Sequence, residues 1–345
     1  QQWQLELERQ PVEFLGRRID DLLQQAMQPL AEYLNADADD LVFVQNATTG
    51  VNLAARSLPL QPGDEILSTD HEYGACANTW RFVCQQTGAQ YIERPIPLPL
   101  TTSETFVEHF WAGVTTRTKV IYLSHITSPT ALSFPIAEII RRAREAGIIT
   151  IIDGAHAPGH IAVDLRALDA DFYTGNCHKW LCAPKGAAFL YARRELQRSV
   201  QPSIISWGYG LAFKYLHQMQ GTRDPAAYLS VPAALDFQRQ HHWDDVRARC
   251  HKLVISTVDE LTRRSGLDPL AGESWFGQMA AVPLPSCDAQ TVKQRLYDDH
   301  CVEVPVFTWN NRQYVRISIQ GYNSQADTDR LLGALDEILT ADWRV

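Results

Sequence analysis

Two near-continuous apolar runs, ending at Asp153 and at the tetrad Asn176-Cys177-His178-Lys179, constrain this chain more than any other feature. The first is Ile148-Ile149-Thr150-Ile151-Ile152; the second is Ala170-Asp171-Phe172-Tyr173-Thr174-Gly175. Runs of this kind read as strands buried on both faces, the mark of a parallel sheet. Open α/β sheets bind ligands at the carboxyl ends of their strands. The spacing therefore predicts a carboxylate and an amine converging on one crevice.

The flanking chain repeats the pattern. Leu41-Val42-Phe43-Val44 reads as a strand, followed by Asn46-Ala47-Thr48-Thr49-Gly50 and an apolar helix over Val51–Ser57. A second strand, over 64–68, ends at Asp70-His71-Glu72-Tyr73-Gly74. A helix through Trp80 and Val83, a strand over 90–93 and a proline-rich connector over 95–99 come next. The run 119–123 is a strand ending at Ser124-His125-Ile126-Thr127-Ser128-Pro129, and a helix over 136–146 precedes the Asp153 strand. Strands alternating with helices at this spacing predict a doubly wound, mostly parallel α/β sheet. Pro184-Lys185-Gly186 leads to an antiparallel return strand over 187–191. Residues 3–35 carry helical periodicity, with Pro11 near a helix start. From about residue 235 the texture changes to a helix over 242–262, short strands over 280–284, 302–307 and 314–318, and a last helix over 325–341. The expectation is a large domain over 1–235 and a smaller α+β domain over 236–345.

The bulk numbers narrow the function. At 345 residues and 45% hydrophobic composition, the chain can bury a large core. A net charge of −9 argues against a general binder of nucleic acid or anionic membranes, which carries a basic stripe. No apolar run reaches the roughly 18 residues of a membrane span, and Gln1-Gln2-Trp3-Gln4 lacks the regions of a signal peptide. A cytoplasmic protein is expected, and the start without Met reads as a fragment or a processed form. The seven scattered cysteines form no CxxC pair. Cys177, His178 and Cys182 lie close together but complete no tetrahedral set, so no metal is expected.

Lys179 opposite Asp153 suits pyridoxal 5′-phosphate: the lysine forms a Schiff base, and the aspartate keeps the pyridine nitrogen protonated so that the ring is an electron sink. Each residue also has a structural reading. Lys179 could serve a salt bridge, although burying it without a function is costly, and Asp153 could cap a helix. Gly154 permits close approach of a ring, and His156 is either a donor to the cofactor's phenolate oxygen or a structural histidine. Asn46 to Gly50 is either a plain cap or an anion site at a helix N-terminus. No GxxxxGK[ST] or GxGxxG follows the first strand. His71 and Tyr73 offer rings that could stack on a pyridine. Arg316, in Tyr314-Val315-Arg316-Ile317-Ser318, is either a carboxylate clamp or half of an ion pair.

The chain resembles the class V aminotransferase family of fold-type I pyridoxal phosphate enzymes over nearly its whole length. The residues that carry the resemblance are Asp153-Gly154-Ala155-His156, His178-Lys179 followed by Pro184-Lys185-Gly186, Gly221-Thr222, and Arg316-Ile317-Ser318 through Tyr322-Asn323-Ser324. Three further segments are similar to isopenicillin N epimerase and its bacterial relatives: Leu7 to Phe14, Asp70 to Ala75 and Ser124 to Pro129. The resemblance implies that Lys179 is the Schiff-base lysine, that Asp153 pairs with the pyridinium and that His156 and Ser128 lie near the phenolate oxygen. It puts Ala47, Thr48, Asn176 and His178 at the phosphate, Thr222 on the phosphate of the neighbouring subunit of a homodimer, His71 or Tyr73 on the ring, and Arg316 on the carboxylate of a small amino-acid substrate. It also implies an N-terminal segment, ahead of this start, that helps cover the active site.

Desulfurases of this family carry a nucleophilic cysteine just before the late Arg-x-Ser strand. Here that stretch is Phe307-Thr308-Trp309-Asn310-Asn311, and Cys301 falls too early. The expected activity is epimerisation, with Lys179 as base and Tyr73 or His71 as acid. A C–S β-lyase acting on a cysteine derivative or its sulfoxide is the alternative, a transaminase comes third, and a binding or scaffold protein that has lost catalysis is a reading of another class.

Overall fold

The computed structural model describes residues 1–339. By contact, the chain forms two units, 1–95 with 107–126 and 135–240, and 96–106 with 127–134 and 241 onward. The contiguous boundary expected at 235/236 leaves out the two short stretches, which carry no change of composition and are assigned only by contacts made on folding. The helix Val231–Gln240 extends the first unit five residues past the expected boundary.

The first unit holds a seven-stranded sheet. Its strands are β1 (Leu41–Val44), β2 (Glu65–Thr69), β3 (Gln90–Arg94), β4 (Thr118–Ser124), β5 (Ile149–Gly154), β6 (Phe172–Asn176) and β7 (Ala188–Ala192), in the order β1-β7-β6-β5-β4-β2-β3. Only β7 runs against its neighbours, β6 and β1. This is the expected α/β fold with its return strand. β4 lies beside β5 with Ser124 opposite Asp153, and β6 lies on the other side with Thr174 opposite Asp153. Val120, Tyr122, Ile151 and Phe172 share a core with Val51 and with Trp80 of the helix Gly74–Thr87. Burial of such side chains is worth about 1.5–3 kcal/mol each, so this core fixes the strand order that positions the site.

The N-terminal region is less continuous than its periodicity suggests. Helix Gln2–Arg9 ends before Pro11, which opens a new helical turn, Phe14–Arg18 is a π-helical turn, and Ile19–Tyr33 is helical with Pro29 inside it. Proline has no N–H to donate and fits a first turn, hence the restart.

The second unit has an antiparallel sheet of β8 (Met279–Leu284), β9 (Val306–Trp309) and β10 (Arg312–Ser318), ordered β8-β10-β9. Helices Trp243–Ser265, Ala289–His300 and Gln325–Leu339 supply Val254, Leu261, Leu296 and Leu335 to its core. The expected end of the last helix, Thr340 and Ala341, lies outside the described residues. The strand expected from Val302 starts only at Val306. Pro305 just before it has no N–H to give to a ladder.

Candidate active site

The site is built at the carboxyl ends of β4, β5 and β6. Asp153 is 3% exposed. Its Oδ1 accepts the Ala155 amide at 2.9 Å, and its Oδ2 accepts from Tyr122 Oη at 3.3 Å and Cys76 Sγ at 3.6 Å. No helix follows it, so Asp153 is not an N-cap; it closes a local turn instead. Burial raises the pKa of its carboxyl, against the Ala155 amide, the charge of Lys179 and the two side-chain donors. Among the described residues it forms no ion pair. Gly154 does make room for a ring, but the ring is that of Tyr173: a Cβ there would lie 2.3 Å from it. Tyr173 Oη in turn meets His125 Nδ1 at 2.8 Å, and burial pushes the pKa of His125 down to about 4.

The loop after β6 carries Lys179. The amides of Cys177 and His178 both donate to the Ala187 carbonyl, and the Ala183 amide donates to Cys177, so the loop is tied at both ends. Lys179 itself is exposed, which corrects the expectation that it bears a burial cost. Its Nζ lies 3.0 Å from His156 Nε2. His156 Nδ1 accepts the indole N–H of the buried Trp180 at 3.2 Å. His156 thus joins the lysine to the core. Burial lowers the pKa of His178, offset in part by the Ala187 carbonyl.

Asn46 begins the helix Ala47–Arg56 as its N-cap, its Oδ1 accepting the Thr49 amide at 2.8 Å. The helix therefore starts four residues before the expected Val51. Gly50 lets it approach β6 closely, because a Cβ there would meet Thr174 Oγ1 at 2.1 Å. That approach brings Ala47 to Asn176, whose Oδ1 accepts the Ala47 amide at 2.9 Å. Ala47 and Asn176 therefore spend these two groups on each other. Thr48, the residue after Ala47 in the first turn, keeps its amide and hydroxyl at the positive end of the helix.

Beyond β2, His71 and Tyr73 differ sharply. His71 is wholly buried with Nε2 3.6 Å from Asp70, whereas Tyr73 is 46% exposed. Tyr73 lines a cleft of about 600 Å³ with Thr48, Asn52, Arg56 and Gln201. Between them Glu72 turns inward, accepting from Thr69 Oγ1 at 2.7 Å, the Ser124 amide at 2.9 Å and Ser124 Oγ at 2.6 Å. Burial pushes the pKa of its carboxyl up to about 8 despite these donors, and Asp153 adds to the rise. The folded chain thus holds a proton on Glu72 that the unfolded chain releases near pH 4.5, so the native state loses stability as pH rises from there to about 8. Glu72→Gln removes that slope: melting temperatures above pH 8 rise by several degrees relative to wild type, and those at pH 4–5 do not. Parallel melting curves of the two proteins across this range would overturn the assignment.

Ser128 and Arg316 lie in the second unit. The Arg316 guanidinium donates to the Ser128 carbonyl and, at 3.3 Å, to Ser128 Oγ. Arg316 forms no salt bridge among the described residues, and burial lowers its pKa. The ion-pair reading finds no partner among the described residues. Thr222 is exposed and lines a separate groove of the first unit with Leu15, Trp207 and Tyr228. Cys301 is exposed at the end of the helix Ala289–His300. The stretch after Val306 is a tight hairpin with Asn310 and Asn311 at positive φ and Trp309 opposite Arg312. It is neither a long loop nor a carrier of a thiol.

Sequence reasoning missed Cys76, Tyr122, Glu72 and Trp180. Tyr122 was within reach: it precedes Ser124 by two residues on β4 and so shares its face, beside Asp153. The other three depend on turns and helix packing that leave no periodic signal.

The aminotransferase class-V family profile matches residues 7–331. The isopenicillin N epimerase of Amycolatopsis lactamdurans is 34% identical over 95% of this chain and 88% of its own length. An L-cysteine desulfhydrase of Arabidopsis thaliana is 26% identical over 98% of this chain and 83% of its own. A cysteine desulfurase of Escherichia coli superimposes with a TM-score of 0.78 at 24% identity, over 94% of this chain and 85% of that one.

Proposed function

The chain belongs to the aminotransferase class-V family of pyridoxal 5′-phosphate enzymes, and from that premise we propose that it epimerises an amino acid at Cα. The donor set fits the cofactor. Asp153 is a buried carboxyl with no ion pair among the described residues, Thr48 keeps a helix-terminal amide and a hydroxyl, and Lys179 stands on a tied loop beside His156. When bound, the cofactor supplies an electron sink for charge developing at Cα.

The chain's own residues do the rest. Lys179 would hold the cofactor and serve as the base for the Cα proton. Asp153 would face the pyridine nitrogen, and Tyr122, Cys76 and the Ala155 amide favour its anion against the burial that raises its pKa. Thr48, Asn176 and His178 hold the phosphate. Arg316 and Ser128 receive the substrate carboxylate, which supplies a counter-charge. Tyr73, open to a cleft, would return the proton on the opposite face, while buried His71 steadies that segment through Asp70.

The observation that supports the reading is the pair of Lys179, an amine in contact with His156, and Asp153, a buried carboxylate that feels the Lys179 charge but forms no ion pair among the described residues. The thiol-free Asn310-Asn311 hairpin favours epimerisation over desulfurase chemistry. The likeness to an L-cysteine desulfhydrase supports a second reading, a C–S β-lyase, which needs no catalytic thiol. In ²H₂O, an epimerase puts deuterium at Cα of both enantiomers of its substrate and releases neither sulfide nor pyruvate from L-cysteine or its sulfoxides. Release of either product without inversion would assign the lyase.

We propose further that the active unit is a homodimer. Exposed apolar side chains crowd one stretch, Ile204, Ile205, Trp207, Tyr209 and Leu211, with Trp207 92% exposed. Thr222 follows, and its hydroxyl reaches the partner's phosphate. Thr222→Val then weakens cofactor retention about tenfold, the value of one charge-assisted hydrogen bond. A monomer by solution mass, with full retention, removes the proposal.

A further inference from the structure

We infer that Trp180 is a positioning residue that fixes the tautomer of His156, so that His156 always turns an N–H toward Lys179. An indole nitrogen only donates. Trp180 Nε1 lies 3.2 Å from His156 Nδ1, so Nδ1 must accept and carries no proton. A neutral imidazole then holds its proton on Nε2, the atom 3.0 Å from Lys179 Nζ. An ammonium at Nζ would meet that N–H donor to donor. That N–H is therefore placed to donate to an uncharged or substituted lysine nitrogen, the state in which the lysine would be a nucleophile or a base.

The indole has little freedom to surrender this bond. Trp180 is 7% exposed, and its ring packs on His160 with centroids 4.3 Å apart. Its carbonyl accepts Gln238 Nε2 at 2.8 Å, and His160 Nδ1 lies 3.2 Å from the His156 carbonyl. At Gly159, φ is +84°, and a Cβ would fall 2.3 Å from the Trp180 backbone, so only glycine lets the two segments close on each other. The sequence places Trp180 next to Lys179, and the fold turns its indole back onto the histidine. The functional consequence, a permanent donor for an anionic oxygen of the cofactor, rests on the reading above. The tautomer itself does not, since it follows from the indole bond to Nδ1 alone.

Nitrogen-15 NMR of the histidines tests this in the cofactor-free protein. In wild type, His156 Nδ1 gives the shift of an unprotonated nitrogen and Nε2 that of a protonated one. Trp180→Phe keeps an aromatic ring and removes the donor, so the ratio of tautomers moves by about tenfold toward Nδ1–H, the value of one such buried bond. A protonated Nδ1 in wild type, or an unmoved ratio in Trp180→Phe, overturns the inference. The wild-type measurement stands even if the variant fails to fold. Normal tautomers together with failure to bind cofactor would sink the functional reading and leave this one intact.

Discussion

Lys179→Ala leaves a folded chain that no longer attaches its cofactor covalently and turns over amino acids at least about 10³-fold more slowly, as expected when one group serves as both nucleophile and base. The fold survives because Lys179 is exposed, and its backbone neighbours are held by the Ala187 and Cys177 carbonyls rather than by its side chain. Truncation of an exposed side chain costs about 0.5 kcal/mol or less. What is lost is the nitrogen 3.0 Å from His156. Borohydride treatment followed by mass spectrometry reads the result directly. Wild type gains a reduced adduct on the peptide containing Lys179, and the variant gains none there. An adduct of equal yield on another lysine, with activity retained, would sink the assignment.

Asp153→Asn separates binding from chemistry. The amide fits the same space, and its oxygen can still accept from Tyr122 or the Ala155 amide. Cofactor occupancy therefore falls less than about tenfold, the worth of one hydrogen bond. Turnover falls about 10²–10³-fold, the usual cost of removing a preorganised electrostatic partner from a water-poor site. Burial works against the Asp153 anion, and a cationic ring nitrogen beside it would offset that penalty, which a neutral amide has no part in. A cofactor-loaded variant with near wild-type turnover contradicts this account.

The two residues behind these predictions were legible from the chain alone. Apolar runs on both sides of Asp153 and before Lys179 can be satisfied only by central strands, and central strands of a parallel sheet deliver their last residues to one edge. The strands β1 to β7 were therefore found to within a few residues, and the return direction of β7 followed from the short Pro184-Lys185-Gly186 connection. The helix Ala289–His300 went unseen because its apolar stripe is only Val292 and Leu296, too little periodicity to stand out.

Near-continuous apolar runs thus determined, by themselves, which segments are the central strands and which ionisable residues stand at their ends, because composition and run length are local properties of the chain. Only the tertiary structure decided what those residues meet. It turned the ring beside Gly154 into Tyr173, paired Ala47 with Asn176, set Arg316 on Ser128 and folded Trp180 onto His156. Each is a contact between segments whose distance depends on turns and close packing, and neither has a repeat that a linear pattern can carry.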